Sequence, residues 1–360
     1  MALLEPGQPV KRWLLGPANL YSVIVKLRMW LYRREWLRSS RLPCRVISVG
    51  NMTVGGTGKT PVVMLLVKWL QEDGQRVAVL SRGYKRAGSD AHLLVSDGTR
   101  LLAGPSESGD EPFLIARNCP QAIVAVGSDR SALGRWVLEQ FPVDCIILDD
   151  GFQHLALQRD VDLVLLDATD ATGLDAMVPA GRLREPLGGL RRATGIMVTR
   201  AESEDEVNAI RSRLRVHAGT VTDPFEAVLR PEVLVAVTSG ERRPVDWCRG
   251  KRAWLLCGVG NSGSFIRTAT SLGIAVAGRS MFADHHCYVS AEIDTIKQQA
   301  KAAGVDLVLT TEKDAGKLES LLAPEDDWWA VRIRAEVRKG EAALRRLVSV
   351  HSREATETRA

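Results

Sequence analysis

One stretch constrains the fold of this 360-residue chain more than any other: VISVGNMTVGGTGKTPVV, Val46 to Val63. The apolar, β-branched run from Leu42 to Val49 ends at Gly50 and reads as a buried strand. A glycine-rich loop follows, and then Gly58-Lys59-Thr60. From Pro61 to Asp73 the residues Val62, Val63, Leu65, Leu66 and Leu70 recur at helical spacing, and Asp73-Gly74 stops the helix. Strand, glycine loop and helix in that order make a phosphate-binding loop. Its amides and the helix N-terminus cradle phosphates, Lys59 reaches the terminal phosphates, and the Thr60 hydroxyl can ligate Mg²⁺. The usual pattern asks for a glycine five residues before Gly58, where this chain has Thr53. Gly55, Gly56 and Gly58, set among Thr53, Val54 and Thr57, still leave the backbone free to wrap an anion. The bland alternative is a strand-to-helix turn with a chance lysine.

The loop's surroundings favour the first reading. RVAVLS, DCIILDD and VDLVLLDA are further apolar runs, and helical patterns separate several of these strands. Strands apolar throughout, alternating with helices, predict a parallel sheet covered on both faces, with sites at the strands' carboxyl ends. A second set follows: KRAWLLCGVGN, SFIRTATSLG, AEIDTIKQQAKAAG and VDLVLTTEKD. The expected fold is α/β, a P-loop NTPase-type parallel sheet with a second, smaller α/β domain. The expected divisions are an N-terminal basic segment over residues 1–42, a P-loop domain over 43–215, the smaller domain over 225–350, and a polar tail over 351–360. The boundary between the domains falls between Arg200 and Pro231.

Charge separates the first of these segments from the rest. Residues 1–45 hold nine Lys/Arg against Glu5 and Glu35, a balance of +7, whereas the remainder stands at −2. The same segment is rich in Trp, Leu and Tyr. Its longest uncharged run, Trp13 to Val25, is too short to span a bilayer and has no signal-peptide cleavage site. Two readings share this composition: a helix lying on an anionic membrane face, or one packed on its own domain with arginines turned outward. The six cysteines contain no CxxC pair and read as small hydrophobes rather than a zinc site or disulfide framework.

Other motifs carry chemistry. A P-loop needs a second acidic strand for its metal, and CIILDD supplies Asp149 and Asp150. GFQH follows at once and brings Gln153 and His154 to the same rim. SGDEP sets Asp110 and Glu111 before a helix, where they can cap it or where Asp110 can act as a general base; on spacing alone, capping is the expected role. PAGRLREP carries Arg182 and Arg184 at i and i+2, a pattern suited to clamping an anion. ADHHCY carries His285 and His286, an adjacent pair that chelates a metal poorly, though one of them can orient a carboxylate.

Taken in order, SVGNMTVGGTGKTP, LSRGY, GDEP, DDGFQH, PAGRLREP, DHH and TEKD resemble the tetraacyldisaccharide 4'-kinases (lipid A 4'-kinases) of Gram-negative bacteria. The matching strings run from about residue 46 to 314. That family's own loop lacks the usual first glycine, so Thr53 fits it. The resemblance implies transfer of the ATP γ-phosphate to the 4'-hydroxyl of a tetraacylated glucosamine disaccharide 1-phosphate, giving a lipid IVA-like bisphosphate. It implies two α/β domains on a flexible two-stranded linker, with the active site in the cleft between them. It also implies a monomer held peripherally at the cytoplasmic face of the inner membrane by the N-terminal segment, with no nucleic-acid partner. ATP and Mg²⁺ are the implied cofactors. Residue by residue, Lys59 and Thr60 serve phosphate and metal with Thr57 in the loop, and Asp149, Asp150 and Gln153 serve the metal. Asp110 is then the catalytic base, His285 its partner from the second domain, and Arg130 and Arg182 stabilise the phosphates. Lys85 and Thr194 depart from the family pattern. A partitioning-type ATPase or another deviant P-loop switch is the alternative, although Val54 stands where the partitioning ATPases carry their signature lysine.

Overall fold

The structure is a computed structural model that describes residues 9–84, 86–88, 90–217 and 223–349. The expected polar tail and Lys85 lie outside the described residues. The strands are β1 (Arg45–Asn51), β2 (Val77–Ser81), β3 (Leu93–Asp97), β4 (Ile123–Val126), β5 (Cys145–Asp149), β6 (Val161–Asp167), β7 (Gly195–Thr199), β8 (Phe225–Ala236), β9 (Arg242–Arg243), β10 (Arg252–Cys257), β11 (Ala275–Met281), β12 (Leu307–Thr311) and β13 (Trp328–Lys339). The α-helices are α1 (Leu15–Arg33), α2 (Lys59–Glu72), α3 (Pro105–Ser108), α4 (Asp110–Asn118), α5 (Arg130–Gln140), α6 (Glu204–His217), α7 (Ser262–Ser271), α8 (Ser290–Ala302), α9 (Glu312–Leu318) and α10 (Glu341–Val348).

All seven residues of β1 are buried, and it pairs in parallel with β5 on one side and β6 on the other. That central position is why its sequence is apolar on both faces. One face buries Ile47 and Ile147 with Val62 and Leu66 of α2, Ile115 of α4 and Leu344 of α10. The neighbouring residues Val46 and Ile146 point the other way, into a cluster with Leu133 and Val137 of α5. Further along that face α6 packs Val207 and Ile210 against Val164 and Ile196. Parallel pairing brings the carboxyl ends of β1, β2, β5 and β6 to one rim, so Gly50, Ser81, Asp149 and Asp167 come together.

The two halves share one hydrogen-bonded sheet, in the order β11-β10-β12-β13-β8-β7-β6-β1-β5-β2-β4-β3, with β9 against β8. The sheet is mixed, because β3–β4, β8–β9 and β8–β13 are antiparallel. The long β8–β13 ribbon joins the halves. Phe225 and Glu226 of β8 pair with β7, while Trp328 to Val331 of β13 pair with β12. Its register slips between Arg332 and Ile333, opposite Val233 and Pro231. A proline cannot donate to the ladder, which accounts for an irregularity at that point.

The approach to the phosphate loop is not the turn its sequence pattern implies. Thr53 lies in an antiparallel bridge with Leu183. The Val54 N–H donates to the Arg182 carbonyl at 2.9 Å, and the Arg184 N–H donates to Met52 at 2.8 Å. Position 53 is therefore extended backbone clamped to the PAGRLREP loop, a conformation any residue adopts, and its side chain is buried. Nothing here requires glycine. Thr53→Gly should lower unfolding free energy by about 1–2 kcal/mol through lost packing and added chain entropy. Urea denaturation checks this; an unchanged or raised midpoint would show that the clamp does not hold the loop.

Candidate active site

Gly58, in the left-handed conformation at φ 80°, is the N-cap of α2, so Lys59 and Thr60 open the helix. The loop before it is tied from behind. Arg182 donates to the Val54 carbonyl through Nε at 3.2 Å and through Nη2 at 2.5 Å. Asn51 Nδ2 reaches the Gly55 carbonyl at 3.4 Å, Arg200 Nη1 the Gly56 carbonyl at 3.1 Å, and Thr199 Oγ1 the Thr57 carbonyl at 2.8 Å. Four consecutive carbonyls are thereby engaged outside the loop, which favours turning the intervening amides inward as an anion nest. A Cβ at Gly55 would collide with the Arg182 guanidinium, so the small residue there is needed for this tie.

The two candidate metal carboxylates differ sharply. Asp150, at φ 56°, faces Lys59 Nζ at 3.5 Å and the Arg184 guanidinium at 2.8 Å. Burial would raise its pKa, but Lys59, Arg184 and Arg130 outweigh burial and hold it well below the carboxylate range. Asp149 is 1% exposed and takes a hydrogen bond from Ser81 on Oδ2 at 2.9 Å. Its Oδ1 is buried without a hydrogen-bond partner. Burial, with Glu111 and Asp150 nearby, pushes Asp149 up to about 7. Gln153 spends its amide N–H groups on the Asn51 carbonyl and on Glu185, both at 2.9 Å, which leaves Oε1 buried and unpartnered. A buried, orphaned carboxylate oxygen and an orphaned amide oxygen in the lining of one cleft are hard-oxygen donors of the kind that suit Mg²⁺. Asp149, Asp150, Gln153 and the Thr60 hydroxyl thus fit that ion chemically.

Asp110 begins α4, but its side chain caps nothing. Its Oδ2 instead meets His285 Nδ1 at 3.1 Å and Lys317 Nζ at 3.2 Å, and both partners come from the second half of the chain. The capping role expected from spacing is therefore not the one the carboxylate takes. Burial alone would raise its pKa, but His285, Lys317 and Lys313 together lower it. His285 sits at φ 61°, uncommon for a non-glycine residue and tolerated where surrounding structure holds it. His286 turns away from the dyad and pairs with Glu292 at 2.9 Å.

The two PAGRLREP arginines divide the work expected of one clamp. Arg182 is committed to Val54 and to a buried ion pair with Asp170 at 3.0 Å, so it braces the loop from behind, while Arg184 carries its charge to Asp150. Arg130, nearly buried, follows the N-cap Asp129 at the start of α5 and lies within electrostatic reach of Asp150 and Asp149. Thr194 closes the start of β6 against β7, accepting from the Asp162 N–H at 2.8 Å, a local role remote from these groups. Sequence reasoning missed Ser81, Glu185, Arg200, Lys313 and Lys317. Ser81, Glu185 and Lys313 lie inside the quoted LSRGY, PAGRLREP and TEKD strings with no role assigned to them, Arg200 follows β7, and Lys317 lies one helical turn beyond TEKD.

Lys59, Asp149, Asp150, Arg184 and His285 line one cleft of about 2100 Å³ that also includes Tyr21, Val25, Arg28 and Met29 of α1. That exceeds the roughly 300–1,000 Å³ common for a single small ligand and leaves room for a nucleotide and a larger acceptor. The α1 helix buries only Ala18, and leaves Leu20, Val23, Ile24 and Leu27 more than half exposed along one stripe. A helix whose apolar stripe covered its own core would bury these residues. Among the described residues no helix is long and apolar enough to cross a membrane.

The family model for tetraacyldisaccharide-1-P 4'-kinase matches residues 10–351. The chain is 42% identical to the tetraacyldisaccharide 4'-kinase of Syntrophus aciditrophicus over 308 residues, covering 83% of this chain and 82% of that one. It is 40% identical to the corresponding protein of an Anaeromyxobacter species, covering 94% and 91%. The crystal structure of LpxK from Aquifex aeolicus in complex with ATP superposes with a TM-score of 0.74 at 32% identity, over 94% of this chain and 98% of that one. With P-loop, acidic strand and cleft arranged as described, the chain belongs to the tetraacyldisaccharide 4'-kinase family of lipid A biosynthesis.

Proposed function

We propose that the enzyme binds ATP with Mg²⁺ in the cleft and transfers the γ-phosphate to the 4'-hydroxyl of a tetraacylated glucosamine disaccharide 1-phosphate. The observation that carries the acceptor half of this reading is Asp110, held by His285 and Lys317 across the cleft from the second half. The tied loop, Lys59 and the start of α2 hold the nucleotide phosphates. Arg184 and Arg130 add positive charge where the transferring group gathers negative charge. Mg²⁺, held by Thr60, Asp149, Asp150 and Gln153, would neutralise charge on the phosphate oxygens. The acceptor oxygen forms a bond to the γ-phosphorus as the bond from that phosphorus to the bridging oxygen of ADP breaks. Asp110 takes the hydroxyl proton. A carboxylate with a lowered pKa is a weak base, which suits a proton that leaves late, once transfer has made the hydroxyl acidic. Arg182 acts indirectly on this reading, by holding the loop's shape.

We further propose that α1 docks on the inner membrane's cytoplasmic surface as a monomer's peripheral anchor, and that residues 225–350 form a domain that moves on the β8–β13 ribbon. The Leu20, Val23, Ile24 and Leu27 stripe supports the docking. It repeats at i, i+3, i+4 and i+7 beside the basic residues Lys26 and Arg28, as an interfacial helix requires.

Asp110→Asn should lower kcat by about 10²-fold or more while leaving ATP affinity near wild type. Transfer from labelled ATP to the acylated disaccharide, with ATP binding measured separately, checks this, and near-wild-type turnover would remove Asp110 as base. Lys59→Ala should instead weaken ATP saturation itself; an unchanged ATP KM would take Lys59 out of the phosphate site. Replacing Leu20, Ile24 and Leu27 together by Ser should abolish co-sedimentation with anionic vesicles while circular dichroism stays unchanged. Undiminished sedimentation would leave the stripe without a membrane role.

A further inference from the structure

Asp110 has two carboxylate oxygens, and the structure treats them differently. His285 Nδ1 at 3.1 Å and Lys317 Nζ at 3.2 Å both contact Oδ2. We infer that Lys317 is a positioning residue for phosphoryl transfer, holding Oδ2 from across the cleft so that Oδ1 is the oxygen presented to the acceptor hydroxyl. This rests on the reading of Asp110 as the base.

Lys317 is itself mounted rigidly. It pairs at 3.1 Å with Asp314, one turn earlier on α9, whose side chain is wholly buried. Asp314 Oδ2 accepts from the Gly258 N–H at 2.9 Å and from Thr311 Oγ1 at 2.7 Å. Gly258 directly follows β10 and Thr311 ends β12, so the ammonium is tied to the sheet of the second half through one buried carboxylate. The helix carrying it is seated without slack. A Cβ at Gly316 would come within 2.9 Å of Phe113 on α4, the helix that Asp110 begins. The distance between Lys317 and Asp110 is therefore set by helix packing on one side and by a buried ion pair on the other. A surface lysine has neither constraint.

The groups facing Asp110 are His285 and Tyr288 from the segment after β11, and Lys313 and Lys317 from α9, with Glu111 beside it on α4. Lys313 is engaged elsewhere, with Glu111 at 3.4 Å and Asp284 at 3.1 Å. Lys317 is the cation of α9 in direct contact with the carboxylate. Its removal leaves burial less opposed, so the Asp110 pKa should rise. A base with a raised pKa loses its ionised form at a higher pH. The acid limb of the kcat profile should then move upward.

The test compares Lys317→Met, Lys317→Arg, Asp110→Asn and the Lys317→Met/Asp110→Asn double variant of the full chain, with ATP and the tetraacyl disaccharide 1-phosphate. Lys317→Met should lower kcat about 10- to 100-fold with ATP KM unchanged, as misplacement of a catalytic group does. Its acid limb should shift to higher pH, and Lys317→Arg should recover most of the loss. In the Asp110→Asn background the same change should cost little more, because the lysine acts through that carboxylate. Wild-type kcat in Lys317→Met, an unmoved acid limb, or an undiminished further loss in the Asp110→Asn background would each overturn the inference. Wild-type turnover in Asp110→Asn would instead overturn the underlying reading of the base. If methionine lowers the thermal midpoint, Lys317→Gln gives the same readout with a polar side chain.

Discussion

The carbonyls of Val54, Gly55, Gly56 and Thr57 are all engaged from outside the phosphate loop, and the active site depends on that restraint. A glycine-rich loop has many conformations, and the amide nest is one of them. Removing the alternatives costs entropy that must be met by contacts made elsewhere. Here the contacts come from four residues: Asn51 at the end of β1, Arg182 in the PAGRLREP loop, Thr199 at the end of β7 and Arg200 just after it. Arg200 also bonds Asp167 and, at 3.2 Å, Ser264 in the second half. The loop is thus built by segments far apart in sequence, and its geometry is a property of the whole rim.

Opposite charges are distributed across the cleft in the same spirit. The first half contributes carboxylates at Asp110 and Glu111, and the second half contributes His285, Lys313 and Lys317. Each pair alone would contribute little at a solvated surface, about 0–1 kcal/mol. Their value lies in placement, because separating the halves would take histidine and lysine from the carboxylate together. On the proposed reading of Asp110 as the base, competence would require α9 to lie against α4, where a Cβ at Gly316 would come within 2.9 Å of Phe113.

Much of this was legible in the sequence, for identifiable reasons. Apolar runs predict buried parallel strands because sheet burial on both faces admits little else; β2, β5, β6, β10 and β12 lie within the runs named, and β1 overlaps its run but continues to Asn51. Lys59 and Thr60 were readable because a strand, a glycine loop and a helix place them. Asp149 was readable because it ends a strand whose carboxyl end lies at the rim. Asp110 was legible only through the family resemblance, since local spacing makes it a cap and its partners lie 175 and 207 positions away. Lys317 and Arg200 carry no local signature at all. Arg182 and Arg184 looked equivalent at i and i+2, yet one side chain ties the Val54 carbonyl behind the loop and the other reaches Asp150. The continuity of the sheet was also hidden, because a twelve-residue ribbon shared by two halves reads, strand by strand, like part of either.

Tyr21 and Val25 of α1 line the same cleft as Lys59, and the stripe of α1 leaves that cleft beside the proposed membrane surface. An acceptor hydroxyl can then be reached while its acyl chains remain largely among lipids. Extraction into water would cost about 0.8 kcal/mol for each methylene exposed, a prohibitive sum over four chains. An enzyme placed this way encounters its acceptor by lateral diffusion in two dimensions. Its rate answers to the mole fraction of acceptor in the leaflet, so diluting that lipid with inert lipid slows the reaction even when the total amount in the vessel is constant.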